Sequence, residues 1–175
     1  MTPMAKRHAE VATRTVPGHL DGDLIKGTPN GSAIGTLVER TTRLVILSRM
    51  DGTDATSACK GFIKELWHVP TLLRKPVTDD RWKEMAEHEP LAQRLAIQIF
   101  SADPYSLWRR GTNENTNGLL HQYLPKGTAL SSHTQRELNA ITHRLNTRPR
   151  KYLDCATPFE VYAQLRHHSP VALGT

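Results

Sequence analysis

The chain is poor in sulfur and aromatic rings, and no long apolar run occurs in it. Its 175 residues include two cysteines, Cys59 and Cys155. So few, so far apart, they make neither a disulfide framework nor a cysteine-based metal site, and they point to a reduced, cytoplasmic setting. Aromatic residues make up 6% of the chain and hydrophobic residues 38%. That is modest, yet at this length it is enough for one domain with its own core. No apolar run approaches the roughly 20 residues of a membrane helix. The N-terminal stretch MTPMAKRHAEVATRTVPGH lacks the apolar middle of a secretory signal. Acids are outnumbered: 17 Asp and Glu face 23 Lys and Arg, for a net charge of +6. This excess favours polyanionic partners, nucleic acid first among them.

Strand and helix patterns alternate along the chain. Residues 1–16 form a basic leader. HLDGDLIKG reads as a strand closed by glycine, TPNG (28–31) as a turn and SAIGTLVERT as a second strand. RLVILSRM (43–50) is continuously apolar in its middle, as in a strand covered on both faces. Thr53 to Trp67 reads as a helix. LLRKPVTDD is a short strand whose Pro76 marks either a sheet edge or the start of the strand. Lys83 to Leu95 is helical, AIQIFSAD is another short strand, and the remainder is mostly helical. Thr134 with Glu137, and Thr157 with Glu160, have capping-box spacing, and Pro158 suits a first helical position. The pattern predicts an α/β fold: a three-strand meander, then two strands interleaved with helices.

Within RRGTNENTNGLL (109–120) one carboxylate, Glu114, stands among three asparagines where a helix begins. A helix from Asn113 puts Glu114, Asn117 and His121 on one face and turns Leu119, Leu120 and Tyr123 toward a core. An acid in a first helical turn can simply complement the helix dipole. Other acids could join it. Asp21 and Asp23 share one face of the first strand, and Asp79 and Asp80 end the fourth. Carboxylates that converge repel one another unless they hold protons or a cation, and oxygen-only ligands favour Mg²⁺ or Mn²⁺. Two such ions about 3.5–4 Å apart can serve hydrolysis or transfer of a phosphodiester.

Several blocks resemble the bacterial insertion-sequence transposases of the IS-thirty group, which have an integrase-like, ribonuclease-H-type core. They are VPGHLDGDLIKG, GSAIGTLVERTTRLVIL, DDRWKEMAEH, DPYSLWRRGTNENTNGLLHQYLPKGT and LNTRPRKYLDCATPFE, in the family order. The resemblance implies a catalytic core over 17–165, a tail over 166–175, and a mixed five-stranded sheet flanked by helices, in which an antiparallel meander is followed by two parallel strands. It maps an acidic triad onto Asp23, Asp80 and Glu114, the last two 34 positions apart. The implied activity is DNA strand cleavage and transfer at transposon ends, supported by two Mg²⁺ or Mn²⁺ ions held by the triad, in a possible homodimer. Candidate DNA contacts are Lys26, Arg40, Arg43, Lys83, Arg109, Arg110, Asn113, Asn117 and Lys126. Trp108 reads first as an anchor of its loop and second as a base-stacking ring near the cut; His121 reads first as a surface histidine and second as an aid to proton or phosphate handling.

The chain also departs from the family. Leu20-Asp21 stands where tryptophan-glutamate is usual, Trp82 where glycine is usual, and Leu107 where proline is usual; Asp79 replaces a common tryptophan. The resemblance also implies an N-terminal DNA-recognition region, which is not expected within the short leader ahead of the core. Two functional classes follow: a transposase catalytic core, or a truncated or degenerate relative that binds DNA without cutting it. A stand-alone nuclease would fit the acids but not the transposase-type blocks.

Overall fold

The computed structural model describes residues 17–27, 31–69, 77–79, 99–101 and 115–168. Strand β1 (Leu20–Lys26) pairs antiparallel with β2 (Ala33–Glu39), which pairs antiparallel with β3 (Val45–Arg49). This is the expected meander. On the other side of β1, β4 (Val77–Asp79) runs parallel to it, and β5 (Ile99–Ser101) runs parallel to β4. The strand order is β3-β2-β1-β4-β5. β4 is therefore paired on both sides. Pro76 itself lies outside the described residues.

Alternation along the strands sorts their side chains onto two buried faces. Leu20, Leu24, Ala33, Leu37 and Met50 pack against helix α1 (Ala55–Leu66) through Ala58, Phe62 and Leu66. A Cβ at Gly35 would collide with Met50 and Phe62, so glycine lets α1 lie close to the sheet. Ile25, Ile34, Val45 and Leu47 line the opposite face. They meet Leu120 and Leu124, at and just beyond the helical residues 115–120 (α2), and Leu138 and Leu145 of α3 (Gln135–Asn146). Both sides of β3 are thus covered, as its apolar run predicts. The stripe Leu138, Ile141 and Leu145 and the trio Leu119, Leu120 and Tyr123 all face this second core.

Local signals act as their chemistry requires. The Thr134 and Glu137 side chains form the full capping box at the start of α3. Pro158 opens α4 (Pro158–His168), where the Glu160 carboxylate accepts from the Thr157 amide at 2.7 Å. α4 continues to His168, so His167 and His168 end a helix. The leader (1–16), Trp82, the expected helix over 83–95 and the loop 102–112 with Leu107 and Trp108 lie outside the described residues.

The free edge of β3 is closed by side chains. Asn146 accepts from the Val45 amide at 2.9 Å and donates to the Val45 carbonyl at 2.8 Å. Gln135, at the other end of α3, accepts from the Arg49 amide and donates to the Leu47 carbonyl, both at 2.8 Å. Two amides three helical turns apart thereby replace a neighbouring strand along an edge that would otherwise offer unpaired backbone groups.

Candidate active site

Asp23 sits mid-way along β1, opposite Thr36 of β2 and on the face that meets α2. It is half-buried. One carboxylate oxygen accepts from the Leu24 amide at 2.8 Å, the other from the Asn117 side-chain amide at 2.9 Å. A carboxylate offers about four lone-pair sites, so two donors leave half of them for another partner. The Asn117 oxygen is itself buried and has no hydrogen-bond partner among the described residues. An orphaned acceptor beside a partly satisfied carboxylate forms an all-oxygen donor set that suits a hard cation or its bound water.

Asn117 stood among the expected DNA contacts. In the structure its amide N–H groups point to Asp23, which ties α2 to β1 across the core. The signal was present in the sequence: Asn117 comes three residues after Glu114, the spacing expected of neighbours on a helix.

Asp80 and Glu114 lie outside the described residues, as do Lys83, Arg109, Arg110 and Asn113. Among the described residues, no three His, Cys, Asp or Glu side chains gather as a metal site.

The candidate cations have different fates. Lys26 and Lys126 are exposed, and they line a cavity of about 330 Å³ together with Asn117, His121, Gly127 and Leu130. His121 uses its Nδ1 on the Leu124 carbonyl at 3.1 Å. Arg40 corrects its expectation. Its side chain is 3% exposed and pairs with Asp21 at 3.3 Å, so it serves the core and does not meet solvent phosphate. The same contact separates the two first-strand acids: Asp21 is buried against a cation, whereas Asp23 looks toward α2. Arg43 lies over the Tyr152 ring at 4.4 Å, with φ of 60°. That stacking holds the β2–β3 turn to the segment between α3 and α4.

No family model matches the chain. It is 48% identical over 165 residues to the transposase for insertion sequence element IS1086 of Cupriavidus metallidurans, a match covering 94% of this chain and 49% of the relative. It is 42% identical over 160 residues to the transposase InsI for insertion sequence element IS30A of Escherichia coli, covering 91% of this chain and 42% of that one. By sequence the chain is similar, over more than nine-tenths of its own length, to insertion-sequence transposases of the IS30 type. It spans about half the length of these curated relatives. The fold agrees. The catalytic core domain of BIV integrase superposes with a TM-score of 0.63 at 18% identity, over 86% of this chain and 96% of that one. The chain therefore shares the ribonuclease-H-like α/β fold of integrase catalytic cores. Among the described residues, no helix is long and apolar enough to cross a membrane.

Proposed function

We infer that this chain is the catalytic core of a transposase, cutting and rejoining DNA strands by divalent-metal catalysis at Asp23, Asp80 and Glu114. The observation that carries the reading is the Asp23–Asn117 hydrogen bond. Asn117 is three residues from Glu114 and on the same helix face by spacing, so the bond brings that part of the chain to Asp23. The third acid has similar support. Asp80 is covalently joined to Asp79, the last residue of β4, and β4 runs beside β1 with Thr78 opposite Asp21. The proposal thus puts two of the acids at neighbouring strands of a mixed five-stranded sheet and the third at a helix start.

The oxygen donors around Asp23 fit Mg²⁺ or Mn²⁺, with Asp23, Asp80 and Glu114 as the residues that would hold a pair of ions. When bound, such ions supply Lewis acidity to the attacking and leaving oxygens of a phosphodiester. The chain's own part is to hold the carboxylates in place. The Leu24 amide and Asn117 fix the rotation of Asp23, and the Leu120 and Leu124 packing fixes α2 on the sheet. Lys26 and Lys126 stand at the rim to meet phosphates, positioning DNA without reading its sequence. Lys83, Arg109, Arg110 and Asn113 are proposed as further contacts. DNA ends and target, a cytoplasmic setting and a homodimer holding two ends complete the proposal. The open lone pairs on Asp23 favour cutting over binding alone.

Nicking of supercoiled plasmid in Mn²⁺ tests it. The wild-type chain is expected to nick and Asp23→Asn to be inert; a wild-type chain that binds plasmid but never nicks it would favour the binding-only relative.

A further inference from the structure

A second basic cavity lies away from Asp23, at the edge of the sheet. It measures about 250 Å³ and is lined by Arg49, Asp51, Ser57, Lys60, Gly61, Lys64 and Gln135. Arg49 ends β3, whereas Lys60 and Lys64 are one helical turn apart on α1, and all three are exposed. Asp51 is the one acid in the lining. Nearby Asp54 is engaged as the α1 N-cap, accepting from the Ser57 amide at 2.8 Å and its hydroxyl at 2.7 Å. Three cations against one acid leave the cavity positive. Gly61 keeps its floor low, since a Cβ there would run into Met50. Gln135 is held between the Arg49 amide and the Leu47 carbonyl, which makes that wall rigid.

The sheet register relates this cavity to the site. Ile25 of β1, Ile34 of β2 and Arg49 of β3 form one row across the sheet. Lys26, at the rim of the first cavity, follows Ile25 directly. The two cavities therefore open at the same end of the sheet, with β1 and β3 separated by two strand spacings, about 10 Å. That is well inside the ~34 Å of one duplex turn.

We propose that the Arg49–Lys60–Lys64 cavity holds a backbone phosphate of the same DNA that reaches Asp23, extending the DNA path from Lys26 and Lys126 across the end of the sheet. The inference rests on the transposase reading. It adds a phosphate site that the sequence pattern did not single out, because these cations come together only when β3 and α1 pack.

The test is the salt dependence of binding to a labelled duplex about three turns long, followed by anisotropy from about 50 to 200 mM salt. Each phosphate left without its cations should make the log–log slope shallower by about 0.9, so Lys60→Ala/Lys64→Ala, which strips the one phosphate held there, should reduce it by about 0.9 and weaken binding by roughly several-fold within that range. Lys60→Arg/Lys64→Arg should restore the slope. The charge-matched control Arg148→Ala/Lys151→Ala, at exposed positions between α3 and α4, should leave it near wild type. An unchanged slope in the Lys60/Lys64 double variant, or an equal reduction in the control, would overturn the proposed phosphate site while leaving the transposase reading intact. Failure of the wild-type chain to bind the duplex at all would overturn both.

Discussion

Asn117 of α2 donates a hydrogen bond of 2.9 Å to the carboxylate of Asp23 on β1, across 94 residues of sequence. It joins the strand that carries the first acid to the helix that follows the third. Asn117→Ala should keep the fold, because Leu120 and Leu124 still pin α2, but should leave Asp23 free to rotate. Loss of such an orienting partner typically costs 10- to 100-fold in metal affinity or activity, and about that loss is expected in Mn²⁺-dependent nicking. Nicking at the wild-type rate by Asn117→Ala would remove Asn117 from the site.

The closed edge of β3 makes a prediction about stability. Asn146 is 1% exposed and exchanges two hydrogen bonds with Val45. Asn146→Ala leaves a buried N–H and C=O without partners, at a cost of about 2–4 kcal/mol. Urea denaturation should show this loss, and the freed edge should raise aggregation. Gln135→Ala, at an exposed bond to Arg49, should cost much less.

The buried ion pair of Arg40 and Asp21 behaves differently from a surface one. Arg40→Ala removes a buried cation from beside Asp21 and should destabilise the chain by about 3–5 kcal/mol, whereas replacing both partners with well-packed apolar residues should come close to neutral. Urea midpoints distinguish the two. Neither change should alter the salt slope of DNA binding by the folded protein.

Acid pH should act through the caps. Hydrogen bonds from Ser57, Thr134 and Thr157 hold Asp54, Glu137 and Glu160 below their ordinary values. A carboxyl lowered in the folded state stabilises above its unfolded value, and that contribution is lost as pH falls through the folded one. Glu65 runs the other way, because burial raises it. Its ionisation opposes folding as pH rises past its unfolded value. Glu65→Gln should therefore raise Tm at neutral pH and give no gain near pH 3, a window set by the ordinary carboxylate range.

Much of the fold was legible in the residues, and the reasons are local. The glycine that closes β1, the apolar middle of β3, the Thr134 box and Pro158 each express a rule that acts within a few residues. Long-range pairings were not legible. The apparent equivalence of Asp21 and Asp23 on one strand face concealed different partners, since Arg40 reaches the first and Asn117 the second. Arg40 looked like any basic residue in a basic chain. Its burial depends on where β2 ends relative to β1, which no local pattern states. Arg49, Lys60 and Lys64 likewise form a group only through tertiary packing.

The central claim is that three acids distant in sequence hold divalent metal together, and calorimetric titration of Mn²⁺ tests it most directly. The wild-type chain should bind the ion, and Asp23→Asn, Asp80→Asn and Glu114→Gln should each lose most of that binding while remaining folded. Binding indistinguishable from wild type in any one of the three would contradict a shared site.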